Sequence, residues 1–191
     1  MQIETIKDKN QIIIDGALII KPDIFEDSRG IFMENWNKKI FSKTVGKKHE
    51  FVQDNYSISK QNVLRGLHYQ LSPNSQSKLV KCIKGNIFDV IVDLRKNSKT
   101  FASWAGFYLN EENHKQIWIP KGFAHGFLTI SKQAYVIYKT DNYWDKSSER
   151  TIRWDDPKLS IDWPYSINKP LLSMKDKTGS LMSQLTDKEL F

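Results

Sequence analysis

Residues 78–95 read KLVKCIKGNIFDVIVDLR, and two alternating runs meet at the middle of this stretch. Val80 and Cys82 alternate with lysines; beyond Gly85-Asn86, Phe88, Val90, Val92 and Leu94 alternate with residues that include Asp89 and Asp93. A period of two sends successive side chains to opposite faces of an extended chain, so each run predicts a strand, and the Gly-Asn break predicts a hairpin turn between them. Further apolar and aromatic runs follow at QIWIP (116–120), GFLTI (126–130) and AYVIYKT (134–140), separated by Pro-Lys-Gly and Ser-Lys-Gln breakers. That rhythm belongs to an antiparallel sandwich or barrel.

Helical signals are sparse. In ENWNKKIFSKTVG (34–46) the residues Trp36, Ile40 and Val45 can share one face, with Gly46 as the stop. A second short helix is expected within GSLMSQLTDKEL (179–190). The chain has no internal repeat, no low-complexity tract and no Pro/Gly/Ser-rich linker. At 191 residues it suits one domain, 1–191, mainly β with a few short peripheral helices.

Composition narrows the function classes. Hydrophobic residues make up 39% and aromatic ones 12% of the chain, which places it among globular rather than disordered proteins. One cysteine, Cys82, leaves no disulfide framework or cysteine-based zinc cluster and reads as a buried small hydrophobe. MQIETIKDKN lacks the apolar middle of a secretory signal, and IIIDGALII (12–20) is too short to span a bilayer and is broken by Asp15. The expectation is a cytoplasmic protein with no membrane partner. The net charge of +7 favours an anionic partner, but the lysines are scattered among acids rather than gathered into an arm, so nucleic acid is not expected and a small phosphorylated ligand is.

A barrel encloses its ligand between sheets, and an inward polar side chain left unpaired there costs a few kcal/mol, roughly 1–3 by mutational measures. Polar residues inside strand-like runs therefore matter. His68 in LRGLHYQ (64–70) and His125 in IPKGFAHGF (119–127) lie in apolar, aromatic surroundings, whereas His49 and His114 sit in charged KKHE and EENHKQ contexts and read as solvated. Taken singly, His68 is as well explained by a hydrogen-bonded place at the core edge as by catalysis, and His125 by a turn cap. Neither has a second histidine or a cysteine at ligand spacing, so no metal is expected. The rest of the set is Arg29, Glu34, Gln53, Asn55, Arg65, Lys78, Tyr138, Lys175 and Asp176. Arg65 and His68 pose a geometric problem: three residues apart in a regular strand, they face opposite ways unless a turn or bulge intervenes at Gly66.

RGLHYQ, SKLVKCIKGNIFDVIVDLR, IWIPKGFAHGF, YKTDNYW and RTIRWDDPKLSIDWP, in this order, make the chain resemble the dTDP-4-dehydrorhamnose 3,5-epimerases, from about DIFEDSRG (23–30) to SMKDKTG (173–179). The resemblance implies a cupin-like jelly-roll barrel and epimerisation at C3, C5 or both of a nucleotide-linked 4-keto-6-deoxy sugar in surface polysaccharide synthesis, with no metal or redox cofactor. It also implies a homodimer in which an N-terminal segment covers the partner's site. By the same resemblance His68 is the general base, Asp176 orients it, Tyr138 is the opposing acid and Lys78 the cation near the keto oxygen. Arg29, Glu34, Gln53, Asn55, Arg65, His125, Glu149 and Lys175 match substrate contacts. Where many relatives carry Tyr-Tyr, this chain has Tyr143-Trp144, and Trp144 falls on the aromatic that stacks on the nucleotide base. A thymidine and a purine, as in a GDP sugar, both remain open. So do a single-centre epimerase, a 3,4-ketoisomerase and a noncatalytic nucleotide-sugar binding module.

Overall fold

The computed structural model describes residues 1–46, 49–164 and 169–191. Its strands are β1 (Gln2–Lys7), β2 (Ile13–Lys21), β3 (Ile24–Asp27), β4 (Gly30–Met33), β5 (Gln53–Lys60), β6 (Leu64–Gln70), β7 (Lys78–Lys84), β8 (Asn86–Asp93), β9 (Trp104–Asn110), β10 (Gln116–Ile119), β11 (Phe123–Thr129), β12 (Gln133–Thr140) and β13 (Glu149–Thr151). Helix α1 spans Lys38–Val45 and the single turn α2 spans Met174–Lys177. Two antiparallel sheets make the body, a six-stranded one in the order β1-β2-β10-β7-β12-β5 and a five-stranded one in the order β13-β6-β11-β8-β9; β3 and β4 pair apart from both. This is the mainly β architecture expected from the strand pattern, in the cupin-like jelly-roll form that the family resemblance implies.

The alternation in residues 78–95 predicts both strands correctly and their partnership wrongly. β7 pairs with β10 and β12 in the first sheet, and β8 pairs with β11 and β9 in the second. Gly85 is a corner between sheets, not the turn of a hairpin. Its φ is +79°, and a Cβ there would fall 2.2 Å from the Gln133 carbonyl oxygen, so the corner needs glycine twice over. A two-residue period reports that a strand has two unlike faces and says nothing of its neighbour.

The strands of the two main sheets turn apolar side chains inward, whereas β3 and β4 stay largely exposed. Val80, Cys82, Ile87, Ile91, Ile117, Ile119, Phe123, Phe127 and Val136 fill the space between the sheets. A second apolar layer lies on the outside of the five-stranded sheet, where Leu64, Leu67, Tyr69, Val90 and Val92 meet Ile152, Leu159, Trp163 and Met182 from the C-terminal part of the chain. The segment expected to form a second helix contributes two 3-10 turns instead, Met182–Gln184 and Asp187–Glu189.

Helix α1 begins where Asn37 accepts from the amides of Lys39 and Ile40, a start the sequence reading did not mark, and ends, as that reading predicts, at Gly46 in the left-handed conformation. Its buried face is corrected. Phe41 is the buried residue, packed with Trp118 beside Trp36 and Val45, while Ile40 is exposed. Phe41 and Val45 are four apart and share a face, a register that the choice of Ile40 missed. His49 is corrected as well: it packs against Phe41 and Trp118, with its ring centroid 4.6 Å from that of Trp118. His114 is partly buried.

Candidate active site

The site grows from the strand that carries LRGLHYQ. On β6, Leu64, Leu67 and Tyr69 belong to the outer apolar layer, so Arg65 and His68 must both turn the other way. A bulge makes that possible. Along the β11 ladder His125 lies opposite His68, and Phe127 lies opposite Arg65, so two residues of β6, Gly66 and Leu67, stand against one of β11, Gly126. Gly66 sits at the extra position with φ +128°, its would-be Cβ only 2.5 Å from the Cα of Gly126. Two glycines in contact let the ladders close over the bulge, and the geometric problem posed by the Arg65–His68 spacing is resolved.

His68 is oriented from below by α2. Ser173 caps this turn, accepting from the Asp176 amide, and its hydroxyl donates to Asp176 Oδ2 at 2.6 Å. The other oxygen, Oδ1, lies 2.6 Å from His68 Nε2 and 3.3 Å from the Gly66 amide nitrogen. Parallel bridges of Val63 to Leu171 and of Ile152 to Ser180 tie this segment to the barrel. The Asp176 side chain is 4% exposed and that of His68 22%. Burial pulls the Asp176 carboxyl upward, but hydrogen bonds from His68 and Ser173 outweigh it, and its pKa is lowered. Burial is also the largest influence on His68 and lowers its pKa, with Asp176 opposing and Lys175 and Lys78 adding to the fall. Since a carboxylate only accepts, Nε2 carries the proton and the lone pair of the neutral ring lies on Nδ1.

Lys78 and Tyr138 approach from the opposite sheet, on β7 and β12. The Lys78 ammonium donates to the His68 carbonyl at 3.4 Å. Burial pushes its pKa down to about 8, opposed by the negative charges of Asp89 and Glu149 and helped by Lys175. Tyr138 packs against the inner core; burial raises the pKa of its phenol, and Arg65 partly offsets that rise. Arg65 crosses between the sheets to donate from Nε to Ser59 Oγ at 3.0 Å. His125, opposite His68, is held by Asp89, whose Oδ2 is 2.9 Å from Nε2.

Others of the residues expected at the site hydrogen-bond among themselves. Lys175 donates to Glu149 at 2.8 Å, and this pair lowers the Glu149 pKa against the upward pull of burial. Gln53 donates to Asn55 and accepts from the Trp144 amide at 3.0 Å. The aromatic rings of Tyr143 and Trp144 are exposed. Arg29 and Glu34 stand apart. Arg29 is paired with Asp27 at the tip of the β3–β4 hairpin, Glu34 accepts from Asn37, and neither shares a hydrogen bond with the barrel cluster among the described residues.

Three contributors had gone unread in the sequence. Asp89 looked like the solvent side of an alternating strand, yet it is fully buried. Ser59 and Ser173 carried little signal, although Ser173-x-x-Asp176 has the spacing of a helix cap. Among the described residues there is no group of three or more His, Cys, Asp or Glu side chains placed to hold a metal ion.

An imidazole–carboxylate pair on one wall, a phenol on the facing wall and an ammonium beside them form a set able to take a proton from one side of a carbon and return one from the other. Those are the parts of a carbohydrate isomerase housed in a cupin-like barrel. The family model for dTDP-4-dehydrorhamnose 3,5-epimerase matches residues 11–184. A dTDP-4-dehydrorhamnose 3,5-epimerase of Shigella flexneri is 53% identical over 166 residues, covering 87% of this chain and 91% of that protein. The Salmonella typhimurium enzyme of the same name is 50% identical over 171 residues, 90% of this chain and 93% of its own. Among solved structures, the Legionella pneumophila dTDP-6-deoxy-D-glucose-3,5-epimerase in complex with dTDP-4-keto-L-rhamnose superposes with a TM-score of 0.90 at 43% identity, covering 99% of this chain and 97% of that one. The chain belongs to the dTDP-4-dehydrorhamnose 3,5-epimerase family.

Proposed function

We propose that this chain, acting as one catalytic unit over residues 1–191, inverts C3 and C5 of a dTDP-linked 4-keto-6-deoxy sugar in the cytoplasm. The observation that carries the reading is the His68–Asp176 pair on β6 and α2 set against Tyr138 and Lys78 on the opposite sheet. His68 Nδ1 takes the proton from the carbon next to the ketone, and the electron pair of the broken C–H bond moves to the carbonyl oxygen. The Lys78 ammonium stabilises the resulting enolate; a preorganised donor of this kind is worth about 2.7–4 kcal/mol. Tyr138 then delivers its phenolic proton to the opposite face of the same carbon, which leaves that centre inverted. Solvent returns a proton to Tyr138 and removes one from His68, so no atom or electron is gained or lost. Positioned acid–base transfer adds about 10²–10⁴-fold. Asp176 holds the ring in the required tautomer and stabilises it once charged.

Arg65 and His125 would grip the sugar and diphosphate, with Gln53, Asn55, Glu149 and Lys175 around them and Trp144 stacking on the base. Thymidine is favoured over a purine by the names of the relatives. The second protein partner is another copy of this chain. What supports that is the β3–β4 hairpin, which carries Arg29 away from the barrel and exposes Phe25 (62%) and Phe32 (70%). The outer face of the first sheet also exposes Tyr56, Ile58 and Ile83. Among the described residues no helix is long and apolar enough to cross a membrane.

The test is epimerisation of dTDP-4-keto-6-deoxy-D-glucose in D₂O, followed by NMR. Deuterium entering both C3 and C5 with inversion is the expected result. Label at one centre only would make the protein a single-centre epimerase, a 3-keto product would make it a ketoisomerase, and no label with full binding would leave only a binding module.

A further inference from the structure

The epimerisation chemistry just described makes no use of Asp89, a carboxylate at hydrogen-bond distance from His125. Its residue is 0% exposed, and it points inward, since Phe88 and Val90 on either side of it belong to the outer apolar layer. Oδ2 meets His125 Nε2 at 2.9 Å, whereas Oδ1 has no hydrogen-bond partner and no access to solvent. A buried carboxylate with half of its acceptor capacity unused is expensive unless a cation lies near, because an uncompensated buried charge costs several kcal/mol. The inward cation facing it from the other sheet is Lys78, and Asp89 is the leading opponent of the fall in Lys78 basicity caused by burial.

We propose that Asp89 is a positioning residue for the epimerisation: it fixes the His125 ring through Nε2 and supplies the buried counter-charge for the Lys78 ammonium. Because a carboxylate only accepts, the contact places the His125 proton on Nε2 and leaves Nδ1 as an acceptor. The barrel then holds two His–Asp pairs on adjacent strands with different tasks. His68–Asp176 moves the proton, and His125–Asp89 sets the field in which the enolate oxygen meets its ammonium. The charged and titratable groups bearing on Lys78 are Asp89 from β8, Glu149 from β13, Lys175 from α2 and His68 from β6. Of these, Asp89 is the fully buried one.

This inference rests on the proposed epimerase reading, so wild-type protein is carried through every assay. The variants are Asp89→Asn and Asp89→Ser, both uncharged, with Asp89→Glu as the charge-retaining control. In either neutral variant the alkaline limb of the kcat–pH profile is expected to move down by about one pH unit or more, with kcat near pH 8 falling about tenfold or more and KM changing little. Asp89→Glu should hold the limb near its wild-type position even where its kcat is reduced by crowding. A limb that stays in place in the neutral variants, or a loss confined to KM, overturns the proposal. Failure of both neutral variants to fold also overturns it, because Asp89 would then be a structural residue. If wild-type protein itself exchanges no deuterium into substrate, the epimerase reading falls, a result distinct from normal exchange in wild type with an unmoved limb in the variants.

Discussion

At the scale of single residues, the site depends on keeping three groups in unlike protonation states at one pH. In the proposed mechanism His68 must be neutral to act, Lys78 must be charged, and Tyr138 must hold its proton until it is needed. Burial drives all three away from their charged forms, which suits the imidazole and the phenol and opposes the ammonium. The signs set the activity window. As pH falls, activity is lost when His68 takes a proton, and because its pKa is lowered that acid limb lies below the ~6.5 of a free imidazole. As pH rises, activity is lost when Lys78 gives up its proton near pH 8, before Tyr138, whose pKa is raised, can ionise. A bell-shaped kcat profile is therefore expected, and Lys78→Arg tests the assignment of its alkaline limb. A guanidinium stays charged throughout, so the variant should be slower yet keep its activity beyond pH 9, on the order of three or more units below the arginine pKa. An alkaline limb unchanged in Lys78→Arg would assign it to another group.

At the scale of elements, two short features do more for the site than any long strand. Helix α2 is a single turn, too short to persist alone, and it survives because Ser173 caps it and because parallel bridges tie its flanks to the barrel. Ser173→Ala removes both the cap and a hydrogen bond to Asp176. The expected cost is about 1 kcal/mol of stability and about tenfold in kcat, as the imidazole loses its fixed orientation; thermal denaturation and steady-state rates on one preparation check both. Full activity in that variant would show that Asp176 is held by the fold without its serine. The β6 bulge is the second feature. Gly66→Ala puts a methyl 2.5 Å from Gly126 Cα at a φ of +128°, so strain and overpacking together should cost about 3 kcal/mol or more. For a chain of this length that lowers Tm by roughly 6–12 °C. A variant as stable as wild type would mean that the bulge can be rebuilt elsewhere.

At the scale of the whole molecule, the barrel brings together residues from seven separate strands and a helical turn, while the β3–β4 hairpin carries Arg29 and exposed aromatic rings outward. If the hairpin completes a neighbouring site, wild-type protein should sediment as a dimer, and Arg29→Ala should stay dimeric while raising KM. A monomer in sedimentation at micromolar concentration would remove that role. Ligand preference is a whole-molecule property too, since native-state binding adds RT ln(1 + [L]/Kd) to stability. In a thermal-shift panel, dTDP at 100 times its Kd should stabilise by about 2.7 kcal/mol, well ahead of GDP, UDP and CDP. A larger shift with GDP would assign the Trp144 platform to a purine.

Much of this was legible in the amino-acid order alone. Strand periodicity marked the residues of β7, β8, β10, β11 and β12, Gly46 marked the end of α1, and polar residues inside apolar runs singled out His68, His125 and Tyr138. These are local facts, written in spacing and side-chain chemistry. The spacing also posed the question that Gly66 answers. Partnership was not legible: β7 and β8 are adjacent in sequence and lie in different sheets, because alternation is blind to which backbone edge a strand meets. Nor was the burial of Asp89, which looks like any solvent-facing acid until a second sheet closes over it, or strand β5, whose less exposed residues Gln53, Asn55, Ser57 and Ser59 are all polar and give no apolar period. Side-chain chemistry and local spacing belong to the chain itself, whereas pKa, orientation and charge pairing arise only when distant strands exclude water from between them.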